Sequence, residues 1–231
     1  MNNFWKNHYD QNVEIFKDSL YKQVGKTVNG VPVDSGQLNI ITSNIIDKLA
    51  LNHDDVLVDM CCGNGLITKS LAPNVKKVIG VDFSQGLIDT AISTSHAGNI
   101  TYMASDALQL TRDFFIEGSK LCMYEALQFF SIDMLEKLLK NMSYIRSGTV
   151  FFIGSVPDKD KLWSYYDTEE KKQFYLRSEA ENKPHMGNWW GKSDLELVAA
   201  KNGFKATFLN QNSELYTSYY RFDCLLEKTD G

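Results

Sequence analysis

Three acids stand at the ends of short apolar runs: Asp59 closes Val56-Leu57-Val58, Asp82 closes the run from Lys77, and Asp106 follows Ile100 to Ala104. After Asp59 comes Met60-Cys61-Cys62-Gly63-Asn64-Gly65, a turn leading into a helix-forming stretch. Glycines at such a turn let a ligand approach backbone N–H groups at a helix N-terminus. Asp82, 19 residues after Gly63, stands where a carboxylate accepts hydrogen bonds from both hydroxyls of a ribose. Asp106 is placed to accept from an adenine amino group. Singly, each acid reads equally as a turn residue or helix N-cap. Together they would line one crevice at the carboxyl edge of a sheet, where open α/β sheets bind ligands. The dinucleotide pattern G-x-G-x-x-G lacks its third glycine, because Thr68 stands there. An acid at the Asp59 position would also repel a pyrophosphate, whereas it would attract an ammonium group.

The elements that must position these acids are legible as alternation. Asp55 to Met60, Lys77 to Asp82, Ile100 to Ala104, Lys120 to Glu125 and Thr149 to Ser155 are apolar, β-branched-rich runs that suit strands buried on both faces. Between them Gly65 to Leu71, Gln85 to Ser95 and Ile132 to Ile145 have helical character, the last with Leu135, Leu138, Leu139 and Met142 on one face. Strand and helix alternating at this spacing predict right-handed βαβ units and an α/β, doubly wound, Rossmann-like parallel sheet. After a helix at Ser193 to Asn202, the runs Phe204 to Asn210 and Tyr219 to Lys228 predict an antiparallel pair at one sheet edge. Helices at about 3 to 18 and 37 to 51 flank the irregular stretch Gln23 to Gly36 and lie outside the alternation. The expected organisation is a single domain: an N-terminal cap over 1–54, a cofactor-binding core over 55–155, a helical lid insertion over 156–192 and a C-terminal helix and strand pair over 193–231.

On these motifs the sequence resembles the class I S-adenosylmethionine-dependent methyltransferases, from about Asp55 to Ser155 in motif and nearly throughout in architecture. The resemblance implies a seven-stranded, mostly parallel sheet with an antiparallel C-terminal strand. It implies S-adenosylmethionine as cofactor, with S-adenosylhomocysteine as product. Val58 to Gly65, with Asp59, Cys61, Gly63 and Gly65, would wrap the methionine part, and Asp82 with Phe83 would hold the ribose. Ser105, Asp106 and Ala107 would meet the adenine, and Tyr124 to Phe130 would lie beside the transferred methyl. The family usually has glycine where Cys61 stands.

Such chemistry is an in-line displacement at a methyl carbon, in which alignment supplies much of the acceleration. An oxygen acceptor of high pKa also needs a general base, and the candidates are His185, Glu125 and Tyr124. His185 reads equally as an ordinary loop histidine. Tyr9, Lys26, Thr27, Gln128 and Trp189 are the candidate substrate contacts; Lys26 and Thr27 would meet a phosphate or carboxylate, unless their stretch is only a turn between helices. Aromatic residues of the flanks, from Phe4 and Trp5 to Trp163, Trp189 and Trp190, are the stock for a closed, dry pocket. The run Asp158 to Lys183 reads as an amphipathic helix with one solvated face.

Composition narrows the partners. The chain has 231 residues, 24 Lys and Arg against 29 Asp and Glu, and a net charge of −5, which argues against nonspecific nucleic-acid binding in the absence of basic clusters. Four cysteines, including the adjacent Cys61 and Cys62, fit neither a disulfide framework nor a zinc spacing, so buried thiols and no metal are expected. No apolar run approaches a membrane span, and no signal-peptide stretch opens the chain. The expectation is a cytoplasmic monomer or homodimer that methylates a small molecule, on oxygen, such as a metabolite or surface-polysaccharide precursor. The alternatives are an RNA or protein methyltransferase, and a methyltransferase-like scaffold without activity.

Overall fold

The computed structural model describes residues 3–111, 114–115 and 119–230. The chain begins with α1 (Asn3–Ile15) and a short α2 (Leu20–Gln23), then a small hairpin of β1 (Thr27–Val28) and β2 (Val31–Pro32), then α3 (Ser35–Leu49). The first helix is three residues shorter than the expected span. The second starts earlier because Asp34 caps it, its side chain accepting from the Gln37 N–H, and it ends at Ala50 in a left-handed conformation.

The alternating section follows as β3 (Val56–Met60), α4 (Leu66–Leu71), β4 (Lys77–Asp82), α5 (Gln85–Thr94), β5 (Ile100–Ala104), β6 (Lys120–Tyr124), α6 (Ile132–Asn141) and β7 (Val150–Pro157). Two helices, α7 (Leu162–Tyr165) and α8 (Glu169–Ala180), form the insertion, and α9 (Lys192–Lys201), β8 (Phe204–Asn210) and β9 (Arg221–Lys228) complete the fold. The main sheet has the order β5-β4-β3-β6-β7-β9-β8, parallel except for β9, which runs antiparallel to both neighbours. This is the expected doubly wound, mostly parallel sheet, with the expected antiparallel pair at one edge. Within that pair β9 is the inner strand, lying between β7 and β8.

Alternate residues of the central strands feed two separate cores. Val58, Leu121, Met123, Phe151 and Ile153 pack under α6 and α9 with Leu135, Leu138 and Leu195. Leu57, Cys122, Tyr124 and Phe152 point the other way, onto Ile41, Ile45 and Leu49 of α3. Burial of both faces is why these strands read as continuous apolar runs.

The insertion departs from one amphipathic helix. It breaks between Tyr166 and Thr168, where the Thr168 hydroxyl accepts from the Lys171 N–H and starts α8. Tyr166 is buried, while Trp163 is half exposed. No helix among the described residues is long and apolar enough to cross a membrane.

Candidate active site

Strand order reverses between β3 and β6, and the crevice at their carboxyl ends is the ligand position that this topology predicts. A cavity opens there. Its wall includes Asp59, Cys61, Gly63, Asp82, Phe83, Tyr124 and Glu125, with Tyr9 and Lys26 reaching in from the N-terminal elements. Sequence separation had hidden that convergence.

The Asp82 carboxylate is held on two sides by the chain. Its Oδ2 accepts from the Gly63 N–H at 3.0 Å and its Oδ1 from the Ser84 N–H at 2.9 Å. Each oxygen keeps a second lone pair. Asp59 is equally fixed: Thr68 Oγ1 donates to it at 2.6 Å and the Cys122 thiol lies at 3.4 Å. Burial pushes both carboxyls up to about 6, partly offset by these hydrogen bonds. Two desolvated carboxylates beside one crevice favour a cationic ligand. The buried Oδ1 of Asn64, which has no hydrogen-bond partner, adds an acceptor in the same wall.

The backbone is strained around this crevice. Cys61, Glu125 and Ser155 have φ of 61°, 54° and 60°, at or near the ends of the adjacent strands β3, β6 and β7. For residues other than glycine such conformations cost on the order of 1–3 kcal/mol each, and they cluster at functional sites. The turn at Glu125 is why β6 ends one residue before the expected boundary. Gly65, the N-cap of α4 at φ 75°, lies outside the cavity wall. A Cβ there would overlap Tyr102 Oη, so this glycine admits a close packing contact.

Glu125 joins the two ends of the site. Lys26 Nζ donates to its Oε2 at 2.7 Å, and Ser155 Oγ donates to its Oε1 at 3.2 Å. Burial alone would raise the Glu125 carboxyl, but Lys26 and Arg221 overcome it and hold the group below the usual range. Lys26 also sits 4.9 Å over the Tyr124 ring. Tyr124 itself is buried, its hydroxyl has no hydrogen-bond partner, and burial followed by the Glu125 charge raises its phenol well above the ordinary value.

From above, α1 closes the crevice. Trp5 and Tyr9 pack against Phe129, with ring centroids 4.5 and 5.6 Å away, and Ser84 Oγ donates to Asp10. A second cavity adjoins the first across Tyr9, Val24, Glu125 and Phe129. It contains Thr27, Gln128, His185 and Arg221. Burial lowers the His185 pKa, and its Nδ1 is 3.1 Å from Tyr166 Oη.

Other expected residues lie apart. Ser105, Asp106 and Ala107 are not in either cavity wall, although Asp106 lies close enough to Cys61 to act on its thiol. Asp106 Oδ1 accepts from the Leu108 N–H, capping a turn of 3₁₀ helix. Trp189 is outside the wall of the second cavity, packed at a tilt against Tyr165 and Tyr220. Trp190 belongs to the core, its Nε1 donating to the Leu127 carbonyl. Arg221 was not anticipated; the signal was an arginine at the start of the last strand run. Among the described residues no group of three or more potential metal ligands is present, and all four cysteines are free thiols.

The fold is a Rossmann-like, mostly parallel sheet with an acid-lined crevice at its switch point. Residues 57–145 match the family model of the methyltransferase domain. A magnesium protoporphyrin IX methyltransferase from Synechocystis PCC 6803, solved with S-adenosylmethionine, is similar with a TM-score of 0.62 at 12% identity, covering 98% of this chain and 96% of that one. A methyltransferase from Anabaena variabilis ATCC 29413 gives 0.64 at 16% identity, covering 98% and 94%. In sequence, a protein of Methanocaldococcus jannaschii named a probable cobalt-precorrin-6B C(15)-methyltransferase (decarboxylating) is 38% identical over 60 residues, 26% of this chain and 31% of that protein. The matches span less than half the length of each curated relative, at 31%, 20% and 44%.

Proposed function

We propose that this protein transfers a methyl group from S-adenosylmethionine to a small-molecule oxygen acceptor. The observation that carries the reading is the juxtaposition of two cavities. One is lined by the desolvated carboxylates Asp59 and Asp82, and the other is aromatic and holds His185. The first suits the cofactor: Asp82 keeps lone pairs for the ribose hydroxyls, and both acids favour a ligand bearing ammonium and sulfonium charge. Bound there, S-adenosylmethionine supplies an electrophilic methyl group.

The chain's own residues supply the rest. Tyr9 and Phe129 close the crevice and exclude water. Glu125, ionised and paired with Lys26, fixes the wall between the two cavities and is a weak proton acceptor. Tyr124, neutral and buried, packs that wall. His185, uncharged near neutrality because burial lowers its pKa, takes the acceptor's proton at Nε2 in the tautomer whose Nδ1–H donates to Tyr166 Oη, 3.1 Å away. Thr27 and Gln128 contact the acceptor.

Calorimetry with S-adenosylmethionine and S-adenosylhomocysteine tests the donor site, and absence of binding would sink the reading in favour of a scaffold. Incubation with radiolabelled donor and fractionated cell extract tests the acceptor. Label is expected in the low-molecular-weight fraction; label in RNA or protein alone would overturn the substrate class.

A further inference from the structure

Arg221 opens β9 with 8% exposure and lies in the wall of the second cavity. A guanidinium has five donors in a planar fork, and burying one without an anion is costly. Its Nη1 is spent on neutral acceptors, Gln128 Oε1 and the Ser155 carbonyl. The opposite edge is different. Nη2 meets the thioether of Met186 at 3.1 Å, the Tyr220 hydroxyl also acts on the guanidinium as a hydrogen-bond partner, and Nε is buried with no hydrogen-bond partner.

The nearby acids are committed elsewhere. Glu125 is hydrogen-bonded to Lys26 and Ser155. Asp223 accepts from Asn44, Ser155 and Gln211. Glu125 is neutralised by Lys26, which reaches it from the donor crevice, so the Arg221 charge in the acceptor-cavity wall has no acid paired to it; the donor crevice is acidic through Asp59 and Asp82.

We propose that the Nε–Nη2 edge of Arg221 is the specificity site for the acceptor, binding a carboxylate of the substrate through two parallel hydrogen bonds. The substrate is then a small carboxylic acid, held by its carboxylate at Arg221 and methylated at another position or at that group. One excess charge matches a carboxylate better than a phosphate monoester, and the planar fork fits two coplanar oxygens. Tyr220, whose ring lies 5.2 Å from the guanidinium carbon, holds the fork in plane. This assignment rests on the proposed methyl transfer for its biological meaning, but the anion site is testable without turnover.

The experiment follows the Arg221 side-chain ¹⁵Nε–H resonance in the protein saturated with S-adenosylhomocysteine, or in the free protein if the cofactor does not bind. It is assigned by its loss in Arg221→Lys. A second variant, with the other three of the four arginines changed to lysine, leaves only the Arg221 signal and serves if Arg221→Lys does not fold. Titration with acetate is expected to shift the resonance saturably, whereas acetamide, uncharged and of the same shape, leaves it in place. Arg221→Lys binds acetate about ten-fold more weakly, because lysine lacks the fork. No shift with acetate, or an equal shift with acetamide, would overturn the site. Tighter binding of inorganic phosphate than of acetate would overturn the carboxylate assignment. A loss of about ten-fold in S-adenosylhomocysteine affinity in Arg221→Lys would show that the arginine serves the donor. Failure of cofactor binding alone, with acetate still bound, would remove the methyltransferase reading and keep the anion site.

Discussion

Lys26 Nζ lies 2.7 Å from Glu125 Oε2, and this ion pair ties the N-terminal hairpin to the carboxyl end of β6. Side-chain exposures of 5% and 15% make it a buried pair. Removing one partner from such a pair strands the other charge.

Lys26→Met is therefore expected to cost about 3 kcal/mol in urea denaturation, at the low end of the range for a broken buried pair. Lys26→Met/Glu125→Gln should lose less than the sum of the single changes, which a double-mutant cycle measures. Strict additivity would show that the pair is not coupled. Because the folded Glu125 pKa is lowered, the stabilisation from its ionisation is present above the unfolded value and disappears as pH falls through the folded value.

Asp59 and Asp82 predict the opposite sign. Burial raises both to about 6 from 3.8, so the folded chain holds protons that the unfolded chain has released. Stability of the cofactor-free protein should rise by on the order of a few kcal/mol on going from pH 7 to pH 5. Denaturation midpoints at the two pH values give the test. A lower midpoint at pH 5 would mean that these carboxyls are not desolvated.

Asp82→Asn places an amide where two backbone N–H groups, from Gly63 and Ser84, each need an acceptor. One of the two bonds is lost, along with the negative charge facing the donor crevice. The affinity for S-adenosylhomocysteine should fall roughly 30-fold, equivalent to about 2 kcal/mol, by calorimetry. An unchanged affinity would remove Asp82 from the cofactor site.

Gly65→Ala should destabilise by roughly 2 kcal/mol, from its left-handed φ and the overlap with Tyr102. The companion variant Gly65→Ala/Tyr102→Phe removes the nearest atom and should recover part of that loss. Thermal melts of the pair separate the steric contribution from the backbone one.

His185→Gln is expected to lower turnover about 100-fold at saturating donor while leaving S-adenosylhomocysteine binding within about two-fold. The wild-type rate should fall as pH drops through the lowered pKa of His185. Turnover near the wild-type level in the variant would make His185 a wall residue only.

The donor half of the site was legible because a buried strand leaves a local signature: an apolar run, an acid, then glycines. Asp59, Gly63 and Asp82 came from that pattern. Lys26 was visible as a candidate, but its partner lies 99 residues away in sequence and no periodicity connects them. Asp106 illustrates the ambiguity of strand-end acids, since one of its oxygens caps a turn. The interior place of β9 was hidden because two adjacent strand runs carry no sign of which one is the edge. Arg221 was overlooked for a related reason, as only the cavity beside it separates it from an ordinary strand-terminal charge.

The place of β9 also sets an order of assembly. It lies between β7 and β8, pairing Phe151 with Leu226 and Thr207 with Leu225, yet it leaves the ribosome after both. A nascent chain that has emerged through β7 already contains Asp59, Asp82, Lys26 and Glu125, and can build the donor crevice. It has no Arg221, and β7 presents an unpaired apolar edge. The acceptor cavity is therefore completed last, and the interval before β9 docks is when this protein is most exposed to aggregation during synthesis.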